Sequence, residues 1–375
     1  NTLLQWWRMG NANNFEEFES ALKMAQIPFW NVMYADKAGN IFYLFNGLIP
    51  VRKEGGWDYW DRVIPGGKSE DVWTAVHPYS DLPQIKNPPQ GWLQNANDPP
   101  WTSTFPMLLN PDDFPPYTAP KGMPFRPQRA VRMLDEDESI TFDELVDYKL
   151  STRLEMADRL LDDLFAAVDQ YGTAKGKEAK AVLENWDRQS NNESVGTLLF
   201  TQWALAMQVW DENTFATKWD ENSPRTTPDG LADPKKAAKT LEAVADDIIK
   251  KHGGLQVPWG DVYRLHYNSI DLPGNGANGL FGAFRVAWPG RVENNKTQIS
   301  GGDSWVGIIE FGDSIKAKVL LSYGNSSQKE SPHNGDQLKL FSERKLRDAL
   351  FYPEDLEGNI KGVEVLENGK FVEKK

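Results

Sequence analysis

The chain has 375 residues, a formal net charge of -13 and a pI near 4.9. That acidity, with only short basic runs such as Lys235-Lys236, argues against nucleic-acid or anionic-membrane partners. The 40% hydrophobic content allows a substantial core and excludes wholesale disorder, while the lack of Cys excludes disulfides, thiolate zinc sites and a Cys nucleophile. A Cys-free chain fits an oxidising compartment, so a periplasmic or secreted location is expected. No apolar run reaches the length of about 18 residues that a membrane-spanning helix needs.

Asn1 to Trp7 reads as the middle of an element with no cap before it, so the chain is expected to be a piece of a longer precursor. Asn14 is a good N-cap for a helix in which Phe15, Phe18, Leu22 and Ala25 share a face. Residues 28–36 and 41–45 read as two buried strands of a hairpin around the turn Asp36-Lys37-Ala38-Gly39-Asn40. From Pro50 to Pro127 the chain is rich in Pro, Gly and Trp without periodicity, as expected of a long functional loop.

Helical patterns follow over residues 139–148, 153–168, 177–186, 195–210 and 234–254, the last stopped by Gly253-Gly254. After residue 275 the period becomes two, and 279–288, 304–312 and 316–324 read as strands. Three regions are expected: a hairpin and loop region over 1–138, a helical excursion over 139–262, and returning strands over 263–375.

Several familiar motifs are missing. There is no phosphate loop, no zinc helix of the H-E-x-x-H type and no G-x-S-x-G elbow, and the four His are far apart. The Gly-rich run Leu272 to Gly282 lacks the strand and helix that a dinucleotide fingerprint needs. The stretch GWLQNANDPP from Gly91 to Pro100 carries two amides, Asn95 and Asn97, two residues apart. On residue types alone both are turn formers.

Taken together, four stretches resemble the penicillin acylase family of N-terminal-nucleophile hydrolases, in the later part of its β subunit. They are TLLQWWRMGNANNFEEFESALKMAQIPFWNVMYADKAGNIFYLFNGLIPVR, GWLQNANDPPW, ENWDRQSNNESVGTLLFTQW and SYGNSSQKESPHNGDQLKLF, and the likeness runs over nearly the whole chain. The family includes penicillin G, cephalosporin and acyl-homoserine-lactone acylases. The resemblance implies an α+β fold, the αββα sandwich of these hydrolases, with a mainly helical excursion. It also implies a self-processed amidase whose nucleophile is an N-terminal Ser with its own α-amine as base.

Carried over residue by residue, the family's oxyanion-binding amide falls on Asn95, with Asn97 holding the turn. The family's supporting Arg falls on Arg126, with Arg132 matching its second Arg and Arg129 as the rival. The acyl pocket falls on Trp6 and Trp30, with Trp7 and Phe29 taking that role if the register slips by one. His333 and Asp336 fall on a structural turn. No organic cofactor is implied. A structural calcium between subunits is, with Asp112 and Asp113 as candidate contributors and its other ligands upstream of Asn1.

Asn1 is not Ser, Thr or Cys, so the nucleophile is expected outside this chain, on a companion polypeptide of a processed heterodimer. The expected substrate is a small acyl amide, either an acyl-homoserine lactone or a β-lactam side chain. The rival readings are a non-catalytic binding or scaffold protein that keeps the fold, and a Trp-rich carbohydrate-binding protein.

Overall fold

The structure is a computed structural model that describes residues 1–374. Helix α1 (Thr2–Gly10) and helix α2 (Phe15–Leu22) open the chain, and the Asn14 side chain caps α2 by accepting from Glu17 N–H. Strands β1 (Phe29–Ala35) and β2 (Ile41–Gly47) pair antiparallel from Phe29↔Gly47 to Ala35↔Ile41, as the hairpin reading expected.

Alternation then divides this hairpin into two faces. Val32, Phe42 and Leu44 point toward Phe15 and Leu22 of α2. Tyr43 points the other way, into a cluster with Ile85, Trp101, Leu109 and Ala119. The loop region is less featureless than its composition suggested. It contains the short helix α3 (Trp57–Trp60) and a third strand, β3 (Gln84–Lys86), which pairs with β2 through Tyr43↔Ile85.

The helical stretch begins earlier than expected, at α4 (Phe125–Asp135). It continues through α5 (Phe142–Lys149), α6 (Glu155–Tyr171), α7 (Ala174–Glu184), α8 (Thr197–Met207) and α9 (Pro234–His252). Thr141 and Glu144 form the capping box at the start of α5, and Gly253 ends α9 in the left-handed region at φ 82°. The buried faces of α6, α8 and α9 supply Leu160, Leu164, Trp203 and Leu241, all inaccessible to solvent.

A short helix α10 (Trp259–Val262) leads into β4 (Tyr263–Tyr267), which pairs with β5 (Ile270–Pro273). With β6 (Ala287–Glu293) and β7 (Lys296–Gly302) they form a sheet of order β5-β4-β7-β6, in which only β4 and β7 run parallel. The strand expected over 279–288 is absent as such. Gly279–Phe281 is a 3-10 turn, and Gly276 and Gly282 both take φ 82°, which an extended strand forbids, so apart from a lone bridge between Ala277 and Val286 the continuous strand starts at Ala287.

Asn1 to Asp303 form one compact unit, and the chain from Ser304 onward forms a second. In the second, β8 (Trp305–Phe311), β9 (Ile315–Leu321) and β10 (Arg347–Asp348) make an antiparallel sheet, with the short helix α11 (Leu338–Ser342) before β10. Strands β11 (Val363–Glu367) and β12 (Lys370–Lys374) pair with each other. Among the described residues, no helix is long and apolar enough to cross a membrane.

Candidate active site

The stretch Gln94 to Thr102 folds around one buried carboxylate. Asp98 Oδ1 accepts the Ala96 N–H at 2.8 Å, and its Oδ2 accepts from the Gln94 amide at 2.9 Å and the Thr102 hydroxyl at 2.5 Å. The side chain of Asn95 is spent inside the same turn. Its Nδ2 donates to the Asp98 carbonyl at 3.0 Å and its Oδ1 accepts the Asn97 N–H at 2.9 Å. Asn97 is therefore pinned through its backbone with φ 63°, a conformation that Asn tolerates better than most residues. Its side chain is exposed.

Arg126 meets that side chain. It lies in the first turn of α4, half-buried, and its Nη2 donates to Asn97 Oδ1 at 2.6 Å. An Asn amide has one oxygen and two N–H donors. With the oxygen held by a cation, the Nδ2 of this exposed residue is left with no protein partner among the described residues. Burial pulls the Arg126 pKa below the usual guanidinium value, with the charges of Asp303 and Asp98 opposing that pull. Arg129, the rival, lies elsewhere. Its Nε is buried without a hydrogen-bond partner among the described residues, and the charge that most supports its protonation is Glu155.

The 3-10 turn Gly279–Phe281 backs Arg126. A Cβ built on Gly279 would lie 3.2 Å from Arg126 Nε and 3.4 Å from its Cδ. Gly279→Ala therefore pushes the guanidinium by a few tenths of an ångström. In the complete protein it is expected to lower kcat by about tenfold, since misplacements of this order are felt in the rate. Steady-state kinetics beside a melting curve would check it. Unchanged kcat in a folded variant means that Arg126 does not need that seat.

Trp6 and Trp30 are brought together edge to face, with ring centroids 6.3 Å apart, and they are 46% and 55% exposed. Phe29 stacks on Trp30 at 6.0 Å. By strand alternation, Trp30 lies on the same face of β1 as Val32, toward the helices, whereas Asn31 accepts from the Tyr43 hydroxyl on the face that holds Leu93 and Trp101. The indole pair and the Asn95–Asp98 turn thus belong to opposite faces of the hairpin sheet. Trp7 is exposed on α1.

In the second unit, His333 Nδ1 lies 3.1 Å from Asp336 Oδ2 in a loop tied by Asn334 to the Ser326 carbonyl. This is the turn that the sequence suggested. Asp112 and Asp113 lie in a 3-10 turn where Asp112 pairs with Lys121 at 3.3 Å. Among the described residues no three acidic, His or Cys side chains gather as metal ligands would.

Residues 1–358 match the family model described as penicillin amidase. The chain belongs to the penicillin amidase family.

Within this family the chain is 24% identical over 383 residues to the acyl-homoserine lactone acylase PvdQ of Pseudomonas syringae pv. syringae (strain B728a), covering 91% of this chain and 47% of that protein. It is 26% identical over 183 residues to penicillin acylase 2 proenzyme of Pseudomonas sp. (strain SE83), covering 48% and 22%. Among solved structures, thermostable penicillin G acylase from Alcaligenes faecalis superposes with a TM-score of 0.61 at 18% identity, over 97% of this chain and 72% of that chain. That likeness shows the fold, an α+β architecture of the N-terminal-nucleophile hydrolase type, as the resemblance implied. The chain spans about half the length of the PvdQ relatives it matches.

Proposed function

We propose that this chain is part of an acylase that hydrolyses the amide bond of an N-acylated small molecule, with the nucleophile supplied by the half of the protein outside it. Membership of the penicillin amidase family supports the hydrolase class, and the names of the relatives supply two substrate classes, acyl-homoserine lactones and penicillin-type amides. The reading rests on one observation, the Arg126 bond to Asn97 Oδ1 that leaves the uncharged Nδ2 donor of an exposed residue free of protein partners among the described residues.

The reaction then runs as follows. A Ser hydroxyl of the companion polypeptide attacks the amide carbon, and the α-amine of that Ser takes its proton. The carbonyl oxygen becomes negative and is met by Asn97 Nδ2, whose position requires no reorganisation. The tetrahedral species collapses as the amine leaves with a proton, and water releases the acyl group from the Ser ester. Arg126 acts through Asn97, and its positive charge lowers the pKa of a nearby amine, which favours the free base. This reading moves the donor from Asn95 to Asn97 and gives Asn95 the bracing role. Periplasmic or secreted location and autoproteolytic processing belong to the same proposal.

Trp6 and Trp30, extended by Phe29, are the proposed contact for the acyl tail. Trp30→Ala is expected to raise KM for a long-chain acyl substrate by about tenfold and to leave a short-chain substrate nearly unchanged, because about 25 cal/mol is lost for each Å2 of apolar contact. Equal KM for both chain lengths in wild type and variant would remove the indoles from the site.

Hydrolysis by the complete protein of acyl-homoserine lactones and of β-lactam side-chain amides tests the function itself, with intact mass and N-terminal sequence of every chain measured alongside. A chain beginning with Ser and turnover of either class are expected. Binding without turnover would favour the scaffold reading.

A further inference from the structure

We propose that Asp98 is the positioning residue of the oxyanion-binding turn, an inference that rests on the acylase reading above. The carboxylate is only 3% exposed, yet its hydrogen bonds run to its own turn, through Ala96 N–H, the Gln94 amide and the Thr102 hydroxyl. Its backbone carbonyl takes the Asn95 amide as well. Both residues that flank Asn97 in the chain are thus engaged with, or belong to, this one anchor. Asn97 is the residue between them, and it is exposed.

The anchor is stiff for a stated reason. A carboxylate accepts on two oxygens, so it can hold the backbone of residue 96 with one and the side chains of residues 94 and 102 with the other. An Asn at this position keeps the shape but replaces one acceptor with a donor, which faces either the Ala96 N–H or the Thr102 and Gln94 donors. Burial raises the Asp98 pKa, and the three hydrogen bonds oppose that rise. The charged groups that face it are Arg126 of α4 and, once ionised, the Tyr43 phenol of β2. Arg126 therefore touches the turn twice, by a hydrogen bond to Asn97 and by the field of Asp98. Removing the Asp98 charge loosens the Asn97 amide without touching a substrate contact.

The test uses the complete, processed protein and compares Asp98→Asn, Thr102→Val and Asn97→Ala. Asp98→Asn is expected to lower kcat by about 10- to 100-fold with KM unchanged, approaching part of the effect of losing a donor outright. Thr102→Val, which removes one of the two side-chain donors on Oδ2, is expected to lower kcat several-fold at unchanged KM. It also serves as the readout if Asp98→Asn does not fold. A kcat within twofold of wild type for every folded variant of this pair overturns the inference, as does a loss that falls on KM alone. If Asn97→Ala itself leaves kcat intact, the donor reading has failed; if it abolishes turnover while the other two are silent, only the role of Asp98 has failed.

Discussion

Asn97→Ala in the complete protein is expected to lower kcat by about 10²–10³-fold while KM stays within a few-fold. The size follows from what the amide does. A neutral donor held rigidly at the developing charge contributes roughly 2.7–4 kcal/mol to transition-state stabilisation, and little to binding of the uncharged ground state. Asn95→Ala removes a brace instead. It frees the Asn97 N–H and the Asp98 carbonyl, which Asn95 now engages at 2.9 and 3.0 Å, so the expected loss in kcat is only about tenfold. Single-turnover and steady-state rates for the pair decide between the two amides. A deeper loss for Asn95→Ala would return the donor role to the position that the motif suggested. Arg126→Met should fall between them, since it leaves Asn97 in place and removes the hold on its oxygen at 2.6 Å.

The reason the motif pointed to Asn95 is instructive. Residue types and spacing name two equivalent amides, and nothing local ranks them. In the proposed reading the ranking comes from Arg126, 29 residues from Asn97 in the chain, whose Nη2 donates to the Asn97 oxygen. Its spacing to Arg132 was legible in the chain, but not which amide it would reach. The helices around Leu160 and Leu241 were legible for a plain reason, since long amphipathic periods survive any tertiary context. Strand β3 was not, because three residues among prolines carry no period, and it exists only through its pairing with β2. The expected burial holds for β2 but not for β1, where only Val32 is buried, and the assignment of the two faces of β1, with Trp30 on one and Asn31 on the other, needed the helices on one side and Trp101 on the other.

Glu155→Ala is expected to destabilise the fold by about 3–5 kcal/mol, the range for breaking a buried ion pair by removing one partner. Glu155 opens α6 and is 0% exposed, with Arg132 Nη2 at 2.7 Å and Arg159 Nη2 at 3.7 Å from its Oε1. Arg129 is a further cation whose protonation it favours. The alanine leaves these cations facing a void, and Gly282, whose added Cβ would lie 2.6 Å from Glu155 Cβ, is packed too closely to rearrange. Glu155→Gln keeps the volume and an acceptor, and Arg132 and Arg159 keep their contacts to Glu136 and Asp229, so about 1–2 kcal/mol is expected. The sign of the pH dependence follows from burial, which raises the carboxyl pKa above 4.5, with Arg132 the chief opposing pull. Between 4.5 and the folded pKa the folded state holds a proton that the unfolded chain has released, and above it the carboxylate is ionised against Arg132. The contribution of Glu155 therefore falls as pH rises from 4.5 through the folded pKa, and the wild-type advantage over Glu155→Gln narrows across that window. Urea denaturation of both variants at several pH values measures this. An alanine no more costly than the glutamine would mean that the cations are already satisfied by their other partners and that the ion cluster does not hold α4 to α6.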